Sequence, residues 1–195
     1  MSGPITKPYP IYVSYATEGR YAKLLERLRE SAKSFDLIFK DVVTPHRFDS
    51  WQKAAAYKRH VIRHFWNESE GKHPIVWVDA DAVFRGYPAH FDTLGAEVDF
   101  AACWRLGHEL LSGTLYFGAT SSALRVLDEW DRFQAMDPDN WDQRTLAAAV
   151  NAMRRTIRAK ELPMGYCYIF DRTGREYPGT TPVIEHFQAS REEAK

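Results

Sequence analysis

The chain has 195 residues, 45% apolar and 27% charged, and its 26 Lys and Arg balance 26 Asp and Glu to a formal charge of zero. That length suits one α/β domain with a proper core and is short for two, so residues 1–195 are expected to form a single unit. The balance excludes a molecule-wide electrostatic nucleic-acid binder, and two cysteines, Cys103 and Cys167, exclude a disulfide framework or a paired-cysteine zinc site. The opening MSGPITKPYP has no apolar signal core, and no later run has membrane-spanning length. Cytoplasmic residence without membrane association is the expectation.

IYVSY, residues 11 to 15, reads as a first buried strand. A helix follows from about Glu18 to Lys33, with Tyr21, Leu24, Leu25, Leu28 and Ala32 on one face. DLIFKDVV, from Asp36, is a second strand, stopped near Pro45. Ser50 can cap a second helix whose apolar face carries Trp51, Ala54, Ala55, Val61, Ile62 and Phe65. IVWV, residues 75 to 78, is a short continuous apolar run of the kind covered on both faces. VDFAAC and SGTLYFGA are strand-like; Thr120 to Gln134 reads as a helix, and Asp139 or Asn140 begins another through WDQRTLAAAVNAM. Short strands and turns fill the last third. Strand and helix alternation in the first half predicts right-handed βαβ units and a mainly parallel sheet, with a mixed second half.

The central feature is IVWVDADAVF, where Asp79 and Asp81 stand two apart directly after a buried strand. Extended backbone continued through them would send both carboxylates to one side of the sheet's carboxyl edge. Open α/β sheets bind ligands at that edge. No lysine neighbours them in the sequence, so the pair would repel unless a hard cation lay between. Mg2+ or Mn2+, shared with substrate phosphates, suits such a site and neutralises a leaving diphosphate. The bland alternative is a strand end whose acids accept loop hydrogen bonds. A second chemistry fits the same letters: haloacid-dehalogenase-type phosphatases place D-x-D-x-[TV] after an apolar strand, with Asp79 then the nucleophile and Asp81 the acid/base. Against it, 78 residues precede the motif and no later G-D-x-x-x-D-like segment follows.

Between His46 and His64 lie Arg47, Lys53, Lys58, Arg59 and Arg63, interleaved with Trp51 and Tyr57. Such a cluster is a solvated helix face or a phosphate-binding surface. The second reading admits a hydroxylated (hydroxymethyl) DNA base as acceptor, reached when extruded or single-stranded.

Several separated segments resemble, in order, the glycogenin-like retaining glycosyltransferases. That resemblance implies the GT-A fold of nucleotide-diphospho-sugar transferases: α/β, with a Rossmann-like central sheet, mixed but mainly parallel, flanked by helices. YVSYATEGRY resembles the family's first strand and loop, which implies base and ribose contacts by Ser14, Tyr15, Ala16, Thr17 and Tyr21. Lys58 matches a basic position aimed at the donor. VDADAVF matches the metal motif, placing Asp79 and Ala80 against the donor and Asp79 and Asp81 on the metal. SGTLYF looks like the strand lining the donor sugar through Ser112, Gly113 and Thr114. WDQRTLAAAV is similar to the Asp-Gln helix start, so Asp142 and Gln143 would be the catalytic pair facing the transferred sugar. LPMGYCY is similar to the family's Leu-Pro-x-x-Tyr segment. IEHFQASR resembles the C-terminal His-Phe strand end, which makes His186 the third metal ligand. The family's terminal Gly-x-x-Lys-Pro-Trp is absent; Ser190 and Arg191 stand there, and Arg191 would take the diphosphate contact.

The resulting expectation is a Mn2+- or Mg2+-dependent transfer of sugar from a uridine-based nucleotide-sugar donor to an acceptor hydroxyl. The phosphatase and a non-catalytic nucleotide-sugar-binding module are its rivals. Trp104, Trp141 and Tyr116 are expected as core or pocket wall.

Overall fold

A computed structural model describes residues 8–189. Six strands form the central sheet: β1 (Ile11–Thr17), β2 (Phe39–Thr44), β3 (Ile75–Val78), β5 (Phe100–Arg105), β6 (Glu109–Phe117) and β7 (Ala159–Glu161). Their order is β2-β1-β3-β6-β5-β7. β1 pairs in parallel with β2 and β3, and β5 with β7, while β6 runs antiparallel to both its neighbours. The sheet is therefore mixed and mainly parallel, as the alternation of elements predicted. A second sheet of three short strands, in the order β4-β9-β8, is built from β4 (Ala82–Phe84), β8 (Tyr168–Ile169) and β9 (Ile184–His186).

Pleating divides the core in two. Tyr12, Ala16, Val76 and Val78 face α1 (Arg20–Lys33) and the small sheet, where they meet Leu25, Leu28, Phe84 and Ile184. Val13, Ile75, Trp77 and Phe117 face the other way, against α2 (Trp51–Glu68), α4 (Ser121–Met136) and α5 (Asp142–Met153). The short helices α3 (His90–Thr93) and α6 (Thr173–Glu176) sit in the connections. IVWV is buried at all four positions because both of its faces are covered. Ser50 caps α2 as expected, accepting from the Lys53 amide at 3.2 Å.

Three expectations need correction. The helix expected at Asp139 or Asn140 starts at Asp142, because the chain from Asp137 to Asn140 is held out of helical geometry by the core. The Gln134 side-chain amide donates to the carbonyls of Asp137, Pro138 and Asn140 at 3.3, 3.3 and 3.2 Å. Its oxygen accepts from the Thr145 hydroxyl at 2.6 Å, and that hydroxyl accepts from Trp130 Nε1 at 3.1 Å. Trp51, assigned to the apolar face of α2, is 43% exposed, and Trp141 is 47% exposed, which removes the core as one of its two expected places. Each stands at the beginning of its helix, beyond the last layer of packing. Tyr116 is buried, as expected.

Trp130 is fully buried and its indole N–H anchors that network. Trp130→Ala should lower unfolding free energy by about 3–5 kcal/mol, a large-to-small core loss. The exposed Trp51→Ala should change it by less than about 0.5 kcal/mol. Urea titration of both variants checks the contrast.

Candidate active site

The backbone turns directly after β3, with the Ala82 amide donating to the Asp79 carbonyl at 3.0 Å. Extended geometry thus does not continue through Asp79 and Asp81; a tight turn brings their carboxylates together instead. The small sheet completes the site. β4 pairs with β9 so that Ala82 lies opposite His186, which sets the imidazole beside Asp81 across more than a hundred residues of sequence. Ligand atoms of Asp79, Asp81 and His186 all lie within 4.8 Å of one another. Asp81 is pinned by the Ala189 amide, which donates to Oδ2 at 2.7 Å. Thr114 Oγ1 lies 2.9 Å from His186 Nε2 and orients the ring.

Lys58 corrects the reading of the acids as unpaired. It reaches from the middle of α2, only 4% exposed, and places its ammonium 2.9 Å from Asp79 Oδ1 and 3.0 Å from Asp142 Oδ2. The Ser112 carbonyl accepts from it at 3.3 Å. Burial alone would lower its pKa; Asp142 and Asp79 outweigh that and hold it above the ordinary lysine value. Asp79 Oδ1 also accepts from Trp77 Nε1 at 2.8 Å. Asp142 is 3% exposed, and its Oδ2 has the charge of Lys58 beside it but no aligned hydrogen bond.

β6 supplies the floor. Ala102 pairs with Leu115 but Cys103 with Leu111, so Ser112, Gly113 and Thr114 drop out of pairing with β5. Such an irregularity re-aims side chains and backbone. Here it carries the Gly113 carbonyl to the Asp79 amide at 2.9 Å and the Ser112 amide to Gln143 Oε1 at 3.4 Å. Gly113 packs against the imidazole so closely that an added Cβ would stand 2.9 Å from His186 Cε1 and 3.2 Å from Cys167 Sγ. Gln143 Nε2 donates to Glu109 at 3.1 Å.

Not every expected contact lies open. Ser14 is fully buried with its hydroxyl unpartnered, and Ala16 and Ala80 are buried. Tyr15 turns toward α2, where its hydroxyl donates to the Ala54 carbonyl and its ring meets Tyr57 and Trp77. Thr17 and Tyr21 are half-buried at the strand end and on α1. Ser190 and Arg191 lie outside the described residues. The basic run on α2 is neutralised from within: Lys53 pairs with Asp49 at 2.9 Å, Arg59 with Asp131 at 2.6 Å, and Arg63 with Asp128 and Asp131 at 2.8 Å each. With Lys58 also paired, four of its five cations are engaged. A cavity of about 720 Å³ opens elsewhere, between α5 and the β5–β7 edge, lined by Trp104, Val150, Arg154, Arg158 and Lys160 among others. No sequence signal set it apart, because its walls come from four separate segments.

The donor set fits a divalent cation. Two carboxylates and an imidazole converge, and unit charges at that separation repel by roughly 3 kcal/mol at an effective dielectric of about 20. Burial lowers the His186 pKa, but Cys167, Asp79 and Asp81 raise it more, to about 9. A cation taken up there must displace that proton, so Mn2+ affinity should rise with pH up to about 9. Calorimetry at several pH values measures it. Gly113→Ala should push the imidazole aside and weaken Mn2+ binding roughly tenfold, with the loss of one ligand as the upper limit, while circular dichroism stays unchanged.

No protein-family model and no curated protein matches the sequence. Solved structures do resemble it. A glycosyltransferase involved in the glycosylation of the major capsid of PBCV-1 superposes with a TM-score of 0.75 at 13% identity, over 95% of this chain and 97% of that one. The apo-form glycosyltransferase GlyE of Streptococcus pneumoniae TIGR4 gives 0.62 at 13% identity, covering 93% of this chain and 54% of that one. The bifunctional glycosyltransferase WbbM gives 0.61 at 11% identity, covering 96% and 47%. The chain thus spans about half the length of the latter two, and no helix among the described residues is long and apolar enough to cross a membrane. At these identities the likeness establishes architecture, and the chain has the GT-A-like fold of these glycosyltransferases.

Proposed function

We propose that the chain is a metal-dependent glycosyltransferase that moves a sugar from a nucleotide-diphosphate donor, uridine-based, to an acceptor hydroxyl. The observation that carries this reading is the convergence of Asp79, Asp81 and His186 at the carboxyl edge of β3, beside the buried Lys58–Asp142 pair, in a fold of this kind. Mn2+ or Mg2+ held by those three residues supplies electrostatic stabilisation of the diphosphate leaving group. Lys58 positions Asp79 and Asp142 rather than reaching the donor itself, since both carboxylates and the Ser112 carbonyl surround its ammonium.

The irregular β6 segment, buried from Ser112 to Thr114, faces the sugar with backbone freed from pairing with β5. Asp142, ion-paired through Oδ2 with Lys58, and Gln143 orient the transferred sugar. The bond from the anomeric carbon to the diphosphate breaks with its electron pair leaving on the diphosphate. The acceptor oxygen forms the new bond, and its proton passes to the departing diphosphate. Thr17 and Tyr21, both half-buried, are the candidates for base and ribose contacts, and the motif resemblance gives the diphosphate contact to Arg191, with Ser190 as a further donor contact. The glycogenin-like assignment, and retention of configuration with it, rest on motif resemblance. The phosphatase alternative is not favoured: Lys58 and Trp77 both hold an oxygen of Asp79, and the fold is that of glycosyltransferases.

Incubation with a panel of sugar nucleotides and Mn2+ should release nucleoside diphosphate slowly without acceptor. Asp81→Ala should abolish that release and metal-dependent donor binding while leaving the protein folded; an active, well-folded variant defeats the proposal. A binding-only module would retain donor and release nothing. Lys58→Met leaves the buried Asp142 and the half-buried Asp79 without their cation, and should cost about 3 kcal/mol of stability along with activity.

A further inference from the structure

We infer that the acceptor is a saccharide, and that Trp51 and Trp141 form the corner that receives its ring. The inference rests on the transferase reading and names the substrate class of the same site. The two indoles lie 6.0 Å apart at 85° to one another, and both are exposed, at 43% and 47%. Two large aromatic rings left in water and set at right angles make an L-shaped recess. Trp141 immediately precedes Asp142, whose buried carboxylate is ion-paired with Lys58. Trp51 opens the helix that carries Lys58, and Lys58 pairs with Asp142. The corner therefore joins the starts of the two helices that carry Lys58 and Asp142.

The chemistry of the corner selects its occupant. The weakly positive C–H face of a pyranose ring meets the negative face of an indole, while ring hydroxyls find polar groups at the edge. The Arg144 guanidinium stands 5.0 Å from the centre of the Trp141 ring, fixing that ring and offering donors beside it. A nucleic acid would also stack, but it needs a track of free cations for its phosphates. Here Lys53 is paired with Asp49, and Asp139 adds a further negative charge to its surroundings. The balanced surroundings favour an uncharged ring over a polyanion.

The test uses the full chain on an array of neutral glycans, with Trp51→Ala, Trp51→Phe and an oligothymidylate as further arms. Trp51 is exposed at the first position of its helix, so its variants fold. The expected result is capture of at least one glycan, weakened about tenfold by Trp51→Ala and restored by Trp51→Phe, the size of one lost ring contact. Absence of glycan capture by the unaltered chain overturns the inference, as does capture that ignores Trp51. Capture of the oligothymidylate in preference, lost in Trp51→Ala, overturns it in favour of a nucleic-acid acceptor. Nucleoside diphosphate release by the unaltered chain is measured in parallel. Release without glycan capture leaves the transferase standing and removes this substrate class, whereas capture without release leaves the aromatic corner and removes the transferase.

Discussion

A single buried ammonium organises the site. Lys58 brings one positive charge to the place where α2, the end of β3 and the start of α5 meet, and two carboxylates close on it within 3.0 Å. Removing any member of such a group from a water-poor setting leaves an uncompensated charge, which costs far more than the intact arrangement gains. Its worth is therefore geometric. Asp79 is held with one oxygen on Lys58 and Trp77, and its other oxygen is left for the cluster with Asp81 and His186. Asp142 is held on the opposite side, its Oδ2 on the same ammonium.

Around that charge, pairing registers bring distant segments together. The β4–β9 ladder sets His186 opposite Ala82, and the slip in the β5–β6 ladder frees Ser112 to Thr114 to line the space between them. Gly113 is required there because any side chain would collide with the imidazole. The second, three-stranded sheet thus has a task beyond covering apolar surface: it delivers one ligand-bearing residue to a turn laid down a hundred positions earlier.

Much of this was legible in the residues themselves. Continuous apolar runs marked the covered strands, Ser50 marked a helix start, and the acids after IVWV marked the carboxyl edge. Position at a helix start was harder. Trp51 and Trp141 fit an apolar pattern by spacing, yet each lies one step beyond the packed layers, and periodicity does not register where packing ends. The partners of Lys58 were hidden because one lies 21 and the other 84 positions along the chain. The turn after β3 was misread as extended because a hydrogen bond between Ala82 and Asp79, not side-chain alternation, shapes it. Ser14 and Tyr15 match a donor-binding pattern by letter, but the pleat sends one beneath the sheet surface and the other against α2.

The amide of Gln134 offers a last consequence. It is buried, and it gathers three carbonyls of the connection leading to Trp141 while facing Trp130 through Thr145. The rim of the reaction centre is thereby moored to the deepest part of the interior rather than left to solvent. On the transferase reading proposed above, drift in specificity need not begin at the surface: a substitution several layers down would reset the pitch of the indole and with it the choice of acceptor.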